Sequence, residues 1–367
     1  MQNVLYLINH AGKAGTERYV YSLVANAERF GVKPFFAYHE KGLLCDRITA
    51  LGGVSVFHVP MRSPFDFKAA RTIAEICQEH QIEVIHTNYL RENYNAIIAK
   101  QRHHKTLKTV YTNHFVIHNS AAVKLANRMM TKNNHKIISV CQVGAEQLIE
   151  NGNDASKIVV IHNAVEPEIW NPGADYAEIR SKARSAYGIT DEEKLLICAS
   201  RFAHDKGHHY FVNAIELFAA ENPNSKFLLA GDGPMIEEIR QRVEKAGLSE
   251  MVRFIGFVED IRALFYAADI YVNPSQHEAS SFLILEALAS GLPVIAADMG
   301  GNREIVNAEN GCGILVEYDN APMLRDAMAE LCKDADKLAV LRDKALETID
   351  RKHSLDSMLK RTFDTYQ

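Results

Sequence analysis

Short apolar, β-branched runs alternate along this chain with longer stretches whose apolar residues recur every three or four positions. NVLYLIN (3–9) is followed by TERYVYSLVANAERF (16–30) and then by KPFFAYH (33–39). The first and third read as strands and the second as an amphipathic helix. The rhythm continues through VSVFHVP, helical FKAARTIAEICQEH, VIHTNY, helical NYNAIIAK, TLKTVYTNH, helical AAVKLANRMM, KIISV, VGAEQLIENG and KIVVIHN. Strands separated by helices predict a mainly parallel, doubly wound sheet.

NAVEPEIWNPGADY (163–176) interrupts this rhythm with two prolines, a glycine and the sole tryptophan, which predicts a linker or domain edge. Six further strand candidates follow, LLICAS, KFLLAG, VRFIGF, DIYVNPS, LPVIAAD and GILVEY, separated by helix candidates such as HHYFVNAIELFAAE, IEEIRQRVEKAG and SSFLILEALASG. The expectation is α/β, with two Rossmann-like doubly wound domains, 1–168 and 176–350, facing a central cleft. The helical-looking end, 352–367, is expected to pack back on the first domain. A length of 367 residues suits two cores better than one.

Composition narrows the class. Hydrophobic residues make up 47% and charged residues 24%, as in ordinary globular chains. No apolar run approaches the roughly 20 residues that cross a bilayer, and the opening residues carry no basic leader, so the expected location is the cytoplasm. The six cysteines show no metal or redox spacing. A net charge of -5 argues against a general nucleic-acid binder. The charge is uneven, however: Lys100, Arg102, Lys105, Lys108, Lys124, Arg128, Lys132 and Lys136 fall within 100–136 with no Asp or Glu among them.

In open α/β sheets ligands bind beyond the carboxyl ends of strands, so polar residues there are the ones to weigh. After LLICAS come Arg201 and Lys206, on a loop entering a helix. A guanidinium fork and an ammonium so placed suit a departing diphosphate; the alternative is a pair of solvated surface charges. In HEASSFLILEALASG, Ser280 or Ser281 can cap a helix, leaving Glu278 in the loop and Glu286 just over a turn inside an otherwise apolar helix. A carboxylate there needs a partner, either the hydroxyls of a nucleotide ribose or an internal arginine. Gly231-Asp232-Gly233 lacks the third glycine of a dinucleotide fingerprint, because Ile236 stands there, and NAD binding is discounted. Asp334-Ala335-Asp336 lies between helical stretches, not at a strand end, so no metal is expected.

Taken together, these marks resemble the retaining GT-B glycosyltransferases of family 4, and the resemblance covers nearly the whole chain. It is carried by Gly12-Lys13-Ala14-Gly15-Thr16-Glu17-Arg18 after the first strand, Ser139, Asn163, Arg201 with Lys206, Gly231-Asp232-Gly233, and Glu278 with Glu286. The resemblance implies Arg201 and Lys206 on the donor diphosphate, Glu278 on the transferred sugar or its phosphate, and Glu286 on the ribose. It implies backbone amides of Phe282, Leu283 and Ile284 around the diphosphate, Gly15 where the backbone approaches a donor phosphate, and His114 near the sugar. Ser139, Asn163 and Gly233 complete the implied donor site. Where many relatives have glycines after the first Glu, this chain has Ala279-Ser280-Ser281-Phe282, a difference that bears on which sugar fits.

The implied activity is transfer of a sugar, a UDP-sugar being favoured, to an acceptor such as a lipid-linked or cell-surface glycan precursor, without cofactor or metal. A sugar-nucleotide epimerase and a non-catalytic sugar-nucleotide binding protein share the shape and remain open. Residues 121–130 interleave Ala, Val, Leu and Met with Lys124 and Arg128, compatible with a basic amphipathic helix against an anionic membrane, at the inner face if the protein is cytoplasmic, or with a solvated face whose apolar residues join the core.

Overall fold

A computed structural model describes residues 1–103, 105–307 and 309–367, with only the backbone of His103. The chain divides into two compact units: Met1–Asn163 together with Leu355–Gln367, and Ala164–Ser354.

The first unit holds strands β1 (Gln2–His10), β2 (Val32–Glu40), β3 (Ser55–His58), β4 (Val84–Thr87), β5 (Lys108–Asn113), β6 (Lys136–Ser139) and β7 (Ile158–Val160). They form one parallel sheet in the order β3-β2-β1-β4-β5-β6-β7. Val4 faces Pro34 on one side and Val84 on the other, so the chain order reverses between β1 and β4. Val4 to Ile8 are fully buried, as expected where helices cover both faces of a parallel sheet.

The second unit repeats the plan with β8 (Lys194–Ala199), β9 (Ser225–Ala230), β10 (Val252–Gly256), β11 (Ile270–Asn273), β12 (Val294–Ala297) and β13 (Gly313–Val316). The order β10-β9-β8-β11-β12-β13, again all parallel, puts its reversal between β8 and β11. Alternation along β8 feeds two separate cores. Leu195, Ile197 and Ala199 enter one, while Leu196 and Cys198 enter the other with Phe211, Phe218 and Phe227. In each unit the reversal opens a crevice at the carboxyl edge of the sheet, where the candidate residues collect.

Two segments border the units. The proline-rich 163–176 is not an open linker: Pro167–Trp170 is a short helix, Trp170 is buried against Phe265 at 6.0 Å between ring centres, and the Tyr266 hydroxyl donates to its carbonyl at 2.9 Å. At the other end, helix Leu355–Asp364 brings Tyr366 into the first unit, where its buried hydroxyl meets Nδ1 of His86 at 2.6 Å. Among the described residues no helix is long and apolar enough to cross a membrane, and all six cysteines are free.

Candidate active site

The second unit's crevice is built by the loops after β8 and β11. Ser200 to Gly207 leave β8, and Gly207, at φ +69°, lies so close to Pro274 that a Cβ would sit 2.0 Å from the Pro274 carbonyl oxygen. The Gln276 amide donates to the Asp205 carbonyl at 2.8 Å, stitching the loops together. The result is an ion pair: Lys206 Nζ donates to Glu278 Oε1 at 2.8 Å and to the His277 carbonyl at 3.3 Å, with both side chains mostly buried. Arg201, on the same loop, is exposed and makes no hydrogen bond or ion pair among the described residues. Its neighbour Phe202 is wholly buried, which fixes the loop beneath it.

Gly233 has a packing reason independent of any ligand. At φ +146° it lies against Phe202, where a Cβ would come within 2.4 Å of the Phe202 carbonyl oxygen, and the Phe202 amide donates to Asp232 at 2.8 Å. Glu278 is held from the far side as well: the Gly301 amide donates to its carbonyl at 2.9 Å, and Gly300, at φ +53°, leaves only 2.0 Å between a built Cβ and that oxygen. Gly300→Ala therefore strains the backbone and pushes Glu278 outward. We expect the fold to survive, with donor affinity lower by about tenfold, as calorimetry would report. Unchanged affinity would show that Glu278 need not be held here.

Ser281, rather than Ser280, caps helix Phe282–Ala289, its hydroxyl accepting from the Ile284 amide at 3.5 Å. Of the two serines expected there, the structure selects the second. The Ile284 amide is thus engaged, over a long contact. Phe282 and Leu283, both half-buried, open the helix. Glu286 is fully buried one turn further in. Asp334 of the Asp-x-Asp pair caps helix Ala335–Lys352 by accepting from the Lys337 amide at 2.8 Å, and no three ligand-type side chains among the described residues converge as a metal site.

In the first unit Gly15 heads helix Gly15–Asn26, which leaves β1. The Glu17 carboxylate turns back on the preceding loop and accepts from the amides of Gly12 at 3.2 Å and Ala14 at 3.0 Å. His114, beyond β5, is partly buried, with Nε2 3.2 Å from Asn88 Oδ1 and its ring edge-on to Tyr19 at 5.0 Å. Asn88 donates through Nδ2 to the Leu7 carbonyl, so its Oδ1 faces the histidine and Nε2 carries the proton. Burial pushes His114 down to about 3, so the imidazole is neutral at physiological pH and Nδ1 is left as an acceptor. Ser139 is fully buried, and its hydroxyl donates to the Cys141 carbonyl at 2.7 Å. Asn163, also buried, closes the first unit after β7.

Each sheet edge thus gathers part of the expected set: Arg201, Lys206, Gly233, Glu278 and Phe282 to Ile284 in the second unit, with Glu286 beneath them, and Gly15, His114, Ser139 and Asn163 in the first. Sequence reasoning missed Asn88, which sets the tautomer of His114, and Gly300, which locks Glu278. Glu17, named within the glycine-rich loop, makes only half of a capping box, because Ala14 has no side-chain acceptor.

Two family models match this chain. The one described as Glycosyltransferase Family 4 covers residues 14–169, and the one described as Glycosyl transferases group 1 covers 179–348. The chain belongs to glycosyltransferase family 4. This family 4 glycosyltransferase is 25% identical over 300 residues to the N-acetyl-alpha-D-glucosaminyl L-malate synthase of Bacillus anthracis, spanning 80% of this chain and 76% of that one. It is 27% identical over 251 residues to an uncharacterized glycosyltransferase of Methanocaldococcus jannaschii, covering 68% of this chain and 64% of that one. The match therefore spans less than two thirds of the archaeal protein. In fold it is similar to the GT-B protein HepE of Anabaena, solved in complex with UDP, at a TM-score of 0.88 and 20% identity, covering 100% of this chain and 99% of that one. A glycosyltransferase from Rickettsia africae gives 0.87 at 22% identity, covering 100% and 98%.

Proposed function

We propose that this glycosyltransferase takes its sugar from a nucleotide diphosphate donor, UDP-sugars being favoured, and passes it to an acceptor hydroxyl with retained configuration. The observation that carries the reading is the Lys206–Glu278 pair at the β8/β11 reversal, with Arg201 exposed on the same loop as Lys206. As the bond between the anomeric carbon and the diphosphate oxygen breaks, its electron pair stays with the diphosphate. Lys206 and Arg201 stabilise that charge, with the opening amides of helix Phe282–Ala289 adding to it. The acceptor oxygen bonds to the same carbon and gives up its proton. Glu278 takes the sugar or its phosphate, Glu286 the ribose, and neutral His114 accepts a hydrogen bond from a sugar hydroxyl at Nδ1. The preference for UDP is supported by HepE, solved with UDP and with UDP-glucose, and retention by the family resemblance. No cofactor and no metal is assigned, and no protein nucleophile.

The test is nucleotide binding. Glu286→Gln keeps the shape of a fully buried side chain while removing a charged acceptor, so its affinity for UDP should fall by about tenfold to a hundredfold with little change in thermal stability. Titration calorimetry with UDP, GDP and ADP on both proteins checks this. Equal affinity of wild type and variant for every nucleotide would remove Glu286 from the site.

A further inference from the structure

Arg91 is a half-buried cation that the fold positions but does not neutralise. It stands in the first turn of helix Leu90–His103, just beyond β4. Its Nη1 donates to Asn9 Oδ1 at 3.1 Å and to the Met61 carbonyl at 3.3 Å, so the guanidinium lies at the carboxyl end of β1, against the loop that follows β3. That loop is clamped in turn. Asn95, one turn further along the helix, donates to the Ser63 carbonyl at 2.9 Å and accepts from the Asp66 amide at 2.9 Å, while Met61 is wholly buried. The guanidinium therefore has a fixed seat, and little side-chain freedom is left to lose when a ligand meets it.

The carboxylate beside it in sequence is not its counter-ion. Glu92 turns into the core, where it is fully buried and accepts from the Asn9 amide. Burial raises it to about 8 despite that amide and the charge of Arg91, so it stays protonated at neutral pH. Among the described residues Arg91 enters no ion pair, and its Nε and Nη2 enter no hydrogen bond. These two nitrogens share one edge of the planar guanidinium, the edge that meets a carboxylate or phosphate with two parallel hydrogen bonds. A half-buried cation without a counter-ion is costly unless an anion arrives.

The seat belongs to the crevice that holds His114. Asn88, three residues before Arg91, donates to the Leu7 carbonyl at 3.4 Å and faces His114, so Arg91 and His114 are keyed to the same end of β1. Arg62, exposed next to Met61, puts a second cation on the β3 loop. We propose that Arg91 holds the acceptor by an anionic group, a carboxylate or a phosphate received on Nε and Nη2, while a hydroxyl of the same molecule meets the donor sugar. Two donors on one edge fix the orientation of the acceptor as well as its place, which selects the hydroxyl that reacts. The inference rests on the sugar-transfer reading only in calling the bound anion an acceptor.

Calorimetry with three probes of one skeleton tests it: glycerol 3-phosphate, glycerate and glycerol, titrated at low salt into the full-length protein with excess UDP. The two anions should bind at least about tenfold more tightly than glycerol, and the tighter of them tells phosphate from carboxylate. Arg91→Gln should weaken both anions by about tenfold to a hundredfold and leave glycerol unchanged, with wild-type circular dichroism and UDP affinity. Arg91→Lys keeps the charge but loses the fork, so it should fall between the two, and it covers the case in which the glutamine variant misfolds. Anions binding no better than glycerol, an anion preference that survives in folded Arg91→Gln, or an Arg91→Lys protein indistinguishable from wild type would each overturn the proposal. The two readings fail separately: a wild type that does not bind UDP removes the donor assignment, while the anion comparison between wild type and variants still decides this one.

Discussion

Lys206→Ala should lower donor-saturated turnover by about a hundredfold to a thousandfold while leaving circular dichroism unchanged. Two effects add. The ammonium that stabilises the leaving diphosphate is gone, a loss of about 2.7 to 4 kcal/mol for a transition-state donor of this kind. In addition, Glu278, which meets Lys206 at 2.8 Å in a mostly buried pair, becomes an uncompensated carboxylate facing that same anion. The second effect gives a distinguishing result. Adding Glu278→Gln to Lys206→Ala should recover part of the donor affinity, because the repulsion is removed, but little of the turnover, because the cation is still missing. A kinetic comparison of the wild type, both single variants and the double variant decides the matter. Turnover of Lys206→Ala close to that of the wild type at saturating donor would refute the assignment.

The first unit should be most stable near pH 6.5 and lose stability on both sides. Burial pushes His86 down to about 3, the nearby His114 adding to the shift, and burial alone does the same to His114. His86 is fully buried between the Tyr366 hydroxyl at 2.6 Å and Thr112 Oγ1 at 2.7 Å, both suited to a neutral ring. Below pH 6.5 the unfolded chain takes up two protons that the folded unit refuses, while the proton the folded unit keeps on Glu92 offsets one of them, so stability falls as pH falls, by up to about 1.4 kcal/mol per pH unit down to the ordinary carboxylate range. Glu92 has the opposite sign. It is fully buried, with one carboxylate oxygen accepting from the Asn9 amide and the other without a partner, and burial raises it to about 8. Between its ordinary range and pH 8 the folded unit keeps a proton that the unfolded chain has released, so stability falls as pH rises, by up to about 1.4 kcal/mol per unit. Hydrogen exchange of the β1 and β4 amides at pH 5, 6.5 and 8 would reveal the maximum, and Glu92→Gln should flatten its alkaline side. Protection that does not vary over this range would disprove the linkage.

The parallel strands and the two crevices were legible because doubly buried strands leave continuous apolar runs and their carboxyl ends collect glycines and charges, as at Gly12–Gly15 and Arg201–Lys206. The Ser281 cap followed from a hydroxyl standing before an apolar helix. What escaped reading depends on partners distant in the chain. His114 and Asn88 come from different strand ends, and Gly300 meets Glu278 from the next strand's loop. The prolines around Trp170 signalled the unit edge, but its burial against Phe265 is a tertiary fact. Helix Ala121–Met130 turns Leu125 and Met129 outward and sets Met130 against the core, a choice that spacing alone left open.

Tyr366 has a consequence for the order of synthesis. The first unit's sheet is complete once β7 leaves the ribosome, but the place beside Tyr6 and His86 stays unfilled until Leu355–Gln367 has been made, after the second unit. During that interval His86 lacks its tyrosine partner and Phe30 lacks Phe363, whose ring centre lies 4.8 Å away in the finished fold. The second unit, whose residues are contiguous, has all its packing partners in hand before the first does.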